Sequence, residues 1–150
     1  MATREKTVIY SFPTLTTATT NNTTTNLAQI TIYLHEASPT FTSVYDAAGF
    51  QDIITENGGT FTNHNVGLRL NASAYTTKTN TAAVTNTGEN QAAVFGPYDF
   101  TSHFIANWGG TSATCDLQVL WNQTTGTTTG MRNVTAVIYI TYTYDDDVST

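Results

Sequence analysis

The stretch Val134-Thr-Ala-Val-Ile-Tyr-Ile-Thr-Tyr-Thr-Tyr144 sets the interpretation of this sequence. Its even positions form an unbroken apolar series: Val134, Ala136, Ile138, Ile140, Tyr142 and Tyr144. Its odd positions are mostly threonine, with Tyr139 among them. Alternation of β-branched and aromatic residues with a period of two is typical of a half-buried strand. Since ordinary strands average about 5–6 residues, we predict a central strand that crosses a whole domain.

A second strong strand is predicted over 112–122, where Cys115, Leu117, Val119 and Trp121 share one face. The Thr/Gly-rich segment 123–130 separates it from the opening stretch. The alternation on both sides of this loop predicts that the two strands pair as a long antiparallel hairpin.

Further alternating segments predict the remaining strands, at 6–12, 28–34, 41–45, 51–55, 66–70, 74–78 and 91–95. Asp46 to Phe50 is small and contains a glycine, which predicts a bend. Asn57-Gly58-Gly59 carries the Asn-Gly signal of a hairpin turn before the strand at 66–70. The Thr/Asn-rich segments 14–26 and 79–90 are interpreted as connectors between sheets.

One short helix is predicted near 99–108. Phe100, Phe104, Ile105 and Trp108 recur at helical spacing. Asp99 is a candidate N-cap, and Gly109-Gly110 is a candidate C-terminal stop. We expect this helix to close an open end of the β core; the alternative is an interface helix.

The composition favours an all-β fold. Threonine occupies 34 of the 150 positions, while Asp, Glu, Lys and Arg together make up only 11%, compared with about 25% in ordinary globular proteins. We predict a single domain over 1–150, an antiparallel β-sandwich of about eight or nine strands with jelly-roll or related Greek-key wiring. A charge-poor hydroxyl surface suits close packing against neighbours. The alternative is that the threonines only keep a β-protein soluble.

The net charge of −6, with five Lys and Arg residues, argues against nucleic-acid binding, which needs clustered cations. No apolar run approaches the roughly 20 residues of a membrane span. Residues 1–5 are expected to form an N-terminal arm and 145–150 an acidic C-terminal tail. The first residues lack the apolar core of a secretory signal, so we expect none in this chain.

Candidate catalytic and metal-binding residues do not form a recognisable pattern. His35, His64 and His103 stand in different contexts without metal-ligand spacing. Cys115 lies on the apolar face of a predicted core strand, which favours a buried thiol over a nucleophile. The acidic run that starts at Asp145 lacks the spacing of a calcium loop. The other acidic candidates are dispersed through predicted turns: Glu36, Asp46, Asp52, Glu56 and Glu89. We therefore predict no enzyme, no metal and no cofactor.

A glycan stays open as a partner. Five asparagines begin Asn-x-Ser/Thr triplets, but they are expected in so Thr-rich a chain: Asn21, Asn22, Asn71, Asn122 and Asn133. We expect no N-linked sugar, and O-linked sugar on the threonine runs is left open. Tyr33, Trp121 and Tyr139 are candidates for stacking on a sugar ring; the alternative is cross-strand packing.

The start Met-Ala-Thr-Arg-Glu-Lys, the Thr/Asn/Gly loops and the ending Val-Ile-Tyr-Ile-Thr-Tyr-Thr-Tyr-Asp-Asp-Asp resemble the small β-sandwich virion proteins of tailed bacteriophages. These are decoration, cement or fibre-type proteins. The resemblance covers the whole chain in style and identifies no functional residue. It implies a non-enzymatic structural role, most concretely a capsid decoration or cement subunit on the virion surface. It also implies self-association as a trimer or higher oligomer and contact with another structural protein.

For the subunit interface, the residues predicted are Val8, Tyr10, Phe12, Tyr139, Thr141, Asp145 and Asp146. Two alternatives remain. One is a subunit of an extracellular filament or pilus, in which the strand at 6–12 adds to a neighbour's sheet. The other is a carbohydrate- or receptor-binding module.

Overall fold

The computed structural model describes residues 2–18, 23–36, 38–56, 59–80, 84–86, 92–123 and 129–146. These residues form eleven strands and one helix. The strands are β1 (Ala2–Ser11), β2 (Leu15–Ala18), β3 (Thr23–Asn26), β4 (Ile30–Tyr33), β5 (Thr40–Glu56), β6 (Gly59–Leu70), β7 (Thr76–Asn80), β8 (Val84–Asn86), β9 (Ala92–Asp99), β10 (Ser112–Gln123) and β11 (Thr129–Asp146). The helix α1 (Thr101–Asn107) lies between β9 and β10.

The strands form two antiparallel sheets, each four positions wide. Sheet A has the order β1-β11-β5-β9, and β2 continues the β1 edge along β11. Sheet B has the order β3-β10-β6-β7, with β4 beside β3 along β10 and β8 beside β7 along β6. Counting such collinear pieces once gives eight strand positions. The all-β sandwich predicted from the composition is therefore confirmed.

The order of these eight positions is that of a jelly roll. In chain order the positions are β1 with β2, β3 with β4, β5, β6, β7 with β8, β9, β10 and β11. The first position pairs with the eighth, the second with the seventh, the third with the sixth and the fourth with the fifth. A long antiparallel ribbon rolled into two sheets gives this nesting, and the β11–β5 and β10–β6 ladders then complete the sheets. Of the two wirings considered above, the jelly roll is the one observed.

The core lies between the two sheets. Val134, Ala136, Ile138, Ile140 and Tyr142 on β11 are buried, as the even-numbered alternation predicts. Sheet B faces them with the similarly buried residues Val66, Leu68, Leu70, Cys115, Leu117 and Val119. β11 lies between β1 and β5, so the prediction of a central strand is confirmed.

The predicted hairpin between β10 and β11 is wrong, because β10 belongs to sheet B and β11 to sheet A. The predicted hairpin around Asn57-Gly58-Gly59 is wrong for the same reason, since β5 and β6 also lie in different sheets. In a jelly roll these consecutive strands are joined across the sandwich, and each takes its ladder partners from distant sequence. The connecting residues 57–58 and 124–128 lie outside the described residues.

Four segments are more regular than predicted. The bend expected at 46–50 is part of β5, where β11 and β9 pair on both sides. The connector at 14–26 contains β2 and β3, and the connector at 79–90 contains the end of β7 and β8. The arm expected at residues 1–5 is the start of β1, paired from Ala2 opposite Asp146. The threonine-rich segments form edge strands because threonine has a high β propensity, and pairing with a neighbouring strand does not require an apolar face.

The predicted helix is present but its buried face is shifted by one position. Phe100 and Phe104 are buried as expected, whereas Ile105 is 63% exposed and His103 is 9% exposed. Asp99 Oδ1 accepts hydrogen bonds from the backbone N–H (2.9 Å) and hydroxyl (2.6 Å) of Thr101. The predicted N-cap is wrong by one residue, because Phe100 occupies the N-cap position and makes no side-chain capping hydrogen bond. Asp99 stabilises the helix start from the residue before the N-cap. The hydrogen bonds from Thr101 lower the pKa of Asp99.

Candidate functional site: the outer face of sheet A

Three large apolar side chains lie in one row on the outer face of sheet A. The β1–β11 ladder places Ile9 opposite Tyr139, and the β11–β5 ladder places Tyr139 opposite Tyr45. Their exposed fractions are 60% for Ile9, 42% for Tyr139 and 38% for Tyr45. We call these three residues the outer stripe. An exposed apolar cluster of this kind is typical of a contact surface.

The rows beside the outer stripe are uncharged. One row consists of Thr7, Thr141 and Ser43, and the other of Ser11, Val137 and Ala47. The hydroxyls of Thr7 and Thr141 are 2.9 Å apart and hydrogen-bond each other. Such a surface can be covered by a neighbour without desolvating a charge, which is the costly step in burying polar groups.

The predicted interface residues on β1 lie elsewhere. Val8 and Tyr10 pack against the core, and Phe12 is 3% exposed. The Tyr10 hydroxyl donates to the backbone oxygen of Tyr33 at 2.7 Å, which ties the edge of sheet A to β4 of sheet B. The side chains of Val8, Tyr10 and Phe12 therefore face inward, and the exposed side of β1 presents Ile9 in their place.

The predicted interface residues on β11 do not form one site. Tyr139 and Thr141 lie on the outer face of sheet A, in the outer stripe and the row beside it. Asp145 lies at the far end of the β1–β11 ladder, where Thr3 Oγ1 donates to its carboxylate at 3.4 Å. The backbone of Asp146 pairs with Ala2. Neither acidic residue joins the outer stripe.

The outer face of sheet B is polar and internally bonded. Arg69 Nε donates to Asp116 Oδ2 at 2.9 Å, and Gln29 Nε2 donates to Asp116 Oδ1 at 3.0 Å. The Arg69 guanidinium also lies 4.6 Å from the centre of the Tyr75 ring. The hydrogen bond to Asp116 raises the pKa of Arg69. Covering this face would require desolvating charges.

His103 joins α1 to sheet B. The backbone N–H of Leu70 donates to His103 Nε2 at 3.3 Å, and Thr76 Oγ1 lies 2.9 Å from Nδ1. The Leu70 N–H and the Asn107 amide, which lies 3.3 Å from Nδ1, can only donate, so these contacts favour the neutral imidazole, which keeps an acceptor nitrogen, over the imidazolium. Burial lowers the pKa of His103, in agreement with this neutral form. Its environment is that of a structural histidine.

A polar depression of about 370 Å³ opens beside this histidine. Its lining comes from β7, β9 and α1: Thr76, Lys78, Asp99, Phe100, Ser102, His103, Ala106 and Asn107. Both imidazole nitrogens are engaged within the fold, Nε2 by the Leu70 N–H and Nδ1 by Thr76 Oγ1.

Asp46 is a buried acid that the alternation did not predict. Its side chain is 0% exposed, in the middle of β5, and neither carboxylate oxygen has a hydrogen-bond partner in the structure. Burial raises the pKa of Asp46 to about 7. Burial also raises the pKa of the Cys115 thiol on the opposite sheet, and the negative charge of Asp46 adds to that increase. A thiol held protonated in this way is a poor nucleophile.

The other candidate residues do not converge. Glu36 accepts from the Tyr142 hydroxyl at 2.6 Å and pairs with Lys6 at 3.3 Å, and the hydrogen bond from Tyr142 is the largest cause of its lowered pKa. His35 stacks edge-on against Tyr33. The structure does not describe the side chains of Asp52, Glu56 and His64, and Glu89 lies outside the described residues. Among the described residues, no group of three or more His, Cys, Asp and Glu could hold a metal ion.

The glycosylation candidates also differ in their surroundings. The side chain of Asn71 is used in the fold: its amide donates to Asn107 O at 3.1 Å and its oxygen accepts from the Thr114 N–H at 3.1 Å. Asn133 is half-buried in β11. Asn21 and Asn22 lie outside the described residues, and the side chains of Asn122 and Trp121 are not described. Tyr33 is 50% exposed on the outer face of sheet B.

These observations define the class of molecule: a jelly-roll β-sandwich with an apolar stripe on the outer face of one sheet. Charged groups border this stripe, since Asp99 of β9 lies opposite Tyr45 and Glu5 lies on the same face of β1. No protein-family model and no curated protein matches the sequence. In the described part of the chain, no helix has the length and apolarity that a membrane crossing requires.

Solved structures do show the same fold. A chain in the "Structure of infectious bursal disease virus Gx strain" superposes with a TM-score of 0.50 at 14% sequence identity. The match covers 97% of the present chain and 34% of the viral chain, so this chain spans about a third of the length of that neighbour. A chain in the structure of the Gt strain gives a TM-score of 0.41 at 14% identity and covers 95% and 37% of the two chains.

Proposed function

We propose that this protein is a non-enzymatic structural subunit of a virus particle, a decoration or cement protein on the virion surface. The observation that carries the proposal is the outer stripe, Ile9, Tyr139 and Tyr45, which lies between two uncharged rows of β1, β11 and β5 on a jelly-roll sandwich. The partners are further copies of the chain, as a trimer or larger assembly, and another structural protein of the particle.

Two further observations support this role. The fold is shared with a chain from the structure of a virus, although the present chain corresponds to only part of that chain. Two titratable groups of the interior are placed for structure: His103 is bonded in its neutral form, and the thiol of Cys115 is buried with a raised pKa. The tailed-bacteriophage origin implied by the sequence resemblance stays a prediction.

The proposal is tested by placing a charge on each outer face in turn. Tyr139→Lys puts an ammonium group in the outer stripe, and Tyr33→Lys puts the same group on the outer face of sheet B. Both replace an exposed tyrosine, so the effect on the fold is matched. If sheet A is the contact face, Tyr139→Lys weakens assembly by about tenfold or more, because the charge must be desolvated on association. Tyr33→Lys leaves assembly unchanged.

Sedimentation equilibrium and light scattering across a concentration series provide the measurement, with far-UV circular dichroism as the check on folding. A wild-type protein that stays a monodisperse monomer throughout, and does not bind purified particles, contradicts the proposed role. Equal losses from the two variants contradict the assignment of the contact to sheet A.

The carbohydrate- or receptor-binding module is a second candidate, favoured by a specific feature of sheet B. Tyr33 offers an exposed ring, and Arg69 with Asp116 forms a fixed pair of donor and acceptor on the same face. Binding on a glycan array that Tyr33→Ala abolishes and Tyr139→Ala does not would favour this candidate. The filament alternative predicts helical polymers by electron microscopy instead of closed assemblies.

A further inference from the structure

The four sheet edges differ in how well they are protected. On sheet B, one edge is made of the four-residue strands β3 and β4, and the other of β7 and β8 with five and three residues. On sheet A, β9 contains Pro97, which has no N–H, and its ladder to β5 shifts register between Asp46 and Ala48. The remaining edge consists of β1 and, beyond Pro13, the four-residue β2. Interruptions and prolines are common protections against edge pairing, and within its ten residues β1 has neither.

The outward backbone groups of β1 can be assigned. The N–H of Phe12 donates to Ala136 O at 2.9 Å, which continues the β1–β11 ladder by one residue. Backbone groups alternate in direction along a strand, so the even-numbered residues of β1 address β11. The N–H and C=O groups of Thr7, Ile9 and Ser11 then point away from it, and no described strand pairs with that side of β1.

The charges on β1 are confined to its first half. Arg4, Glu5 and Lys6 are consecutive, whereas 7–11 reads Thr-Val-Ile-Tyr-Ser. Charged residues oppose edge pairing, and the uncharged second half consists mostly of good strand formers. The segment 7–11 is therefore the part of the edge that is available for a further strand.

We propose that β1 pairs antiparallel with β1 of a second copy of this chain, through residues 7–11, which joins the two A sheets into one continuous sheet. This inference rests on the proposed structural role and identifies the partner. A two-fold axis perpendicular to the sheet preserves the alternation of faces, so both outer stripes lie on the same side of the joined sheet.

Charge restricts the register of this pair. An axis at Glu5 would place Glu5 opposite its own copy, and an axis at Lys6 would place two lysines together; like charges directly opposite each other are unfavourable. An axis at Ile9 avoids both contacts and pairs the segment 7–11 with the same segment of the second copy. Stable interfaces bury about 1,200–2,000 Å², which is more than one strand pair offers. The two outer stripes on the same side of the joined sheet supply further apolar area, which a next copy can cover.

The test is Thr7→Pro in the full chain. Proline removes an N–H that points outward, so β1 keeps its ladder to β11 while the edge loses a donor in each copy. Thr7→Val is the matched control, because it loses the hydroxyl bonded to Thr141 but keeps the N–H. We expect Thr7→Pro to raise the dissociation constant about tenfold or more and Thr7→Val to leave it within about twofold, measured by sedimentation equilibrium.

A second variant protects the test against misfolding. Thr7→Lys keeps the N–H and extends the run of charge into the uncharged segment, and it is expected to weaken association as well. If Thr7→Pro is folded by circular dichroism and associates like the wild type, edge pairing is wrong, while loss of assembly in Tyr139→Lys would still support the proposed function. If Thr7→Pro does not fold, wild-type association in Thr7→Lys overturns the inference. A wild-type monomer overturns this inference, and it contradicts the proposed function as well only if the monomer does not bind purified particles.

Discussion

Sheet A and sheet B bury similar apolar residues between them, but they differ in their remaining groups. Sheet A exposes the outer stripe on one face and buries the unpartnered carboxyl of Asp46 on the other. On the outer face of sheet B, Arg69 and Asp116 form an ion pair. At its inner side, Leu70 of β6 and Thr76 of β7 are hydrogen-bonded to His103 of α1.

Sheet B is not free of unsatisfied groups, since Asn65 Oδ1 also lacks a partner. That oxygen belongs to a neutral amide, whereas the carboxyl of Asp46 can ionise, and a buried unpartnered charge costs more than a buried unpartnered neutral group. Natural sequences tend to depart from local satisfaction at functional positions. The difference agrees with the proposed role, in which sheet A, with its outer stripe and open β1 edge, meets other subunits.

The largest expected effect concerns Asp46. The pKa of Asp46 is about 7 in the fold, above its ordinary value of 3.8, so the folded state binds more protons than the unfolded state between these two pH values. Stability is therefore highest at low pH and falls as the pH rises through 7. A difference of about three pKa units corresponds to about 4 kcal/mol. Asp46→Asn is expected to unfold at the same urea concentration as the wild type near pH 4 and to be more stable by up to that amount at pH 8.

The comparison between variant and wild type removes the contribution of all other titrating groups. Asp99→Asn is the control: the pKa of Asp99 is lowered, so its loss should reduce stability at neutral pH in place of increasing it. If the stabilities of Asp46→Asn and wild type change in parallel from pH 4 to 8, ionising Asp46 does not destabilise the fold. The buried carboxyl would then not distinguish sheet A from sheet B, and the two sheets would differ only in their outer faces.

The second effect concerns the bonded histidine on the sheet B side. His103→Ala leaves the Leu70 N–H buried without its acceptor and removes the link to Thr76, which should cost about 2 kcal/mol in free energy of unfolding. Since the pKa of His103 is lowered from 6.5, its contribution is complete above that value and is lost as the pH falls below it. The alanine variant should lack this acid-side decline.

Ile105→Ala is the matched control on the same helix, because Ile105 is 63% exposed. Its expected cost is below about 0.5 kcal/mol. A larger cost for Ile105→Ala than for His103→Ala would mean that the buried face of α1 is the one that the helical spacing predicted, not the one the structure shows.

The sequence predicts the inner faces of the long strands well, because burial on one side imposes a period of two on β11, β10 and β6. It does not predict which sheet a strand joins. β10 and β11 look like a hairpin, yet their ladder partners β6 and β5 come from the middle of the chain. Helical spacing likewise leaves the phase of a short helix open by one residue, which is why Ile105 was assigned to the buried face in place of His103.

The outer stripe shows the same limit for the candidate site. Tyr139 is predictable as an outward residue of β11, but Ile9 and Tyr45 join it only through the registers of two ladders between distant segments. The burial of Asp46 is not predictable from the sequence, because small residues around a glycine are typical of a bend. In the structure these residues lie inside a strand that is paired on both sides. The local sequence pattern determines which face of its strand a residue occupies, and the pairing of distant strands determines which residues meet in the outer stripe.

The smallest expected effect on stability tests the outer stripe itself. Ile9 is 60% exposed, so Ile9→Thr, which keeps a β-branched side chain at an edge position, should change the free energy of unfolding by less than about 0.5 kcal/mol. The same change removes an apolar group from the row that includes Tyr139, and it should weaken self-association several-fold because apolar burial provides the driving force. Unfolding is measured at a concentration where the protein is monomeric, and association by sedimentation. A variant with lower stability and unchanged association would reverse the assignment, since Ile9 would then support the fold of sheet A and not its contact with a neighbour.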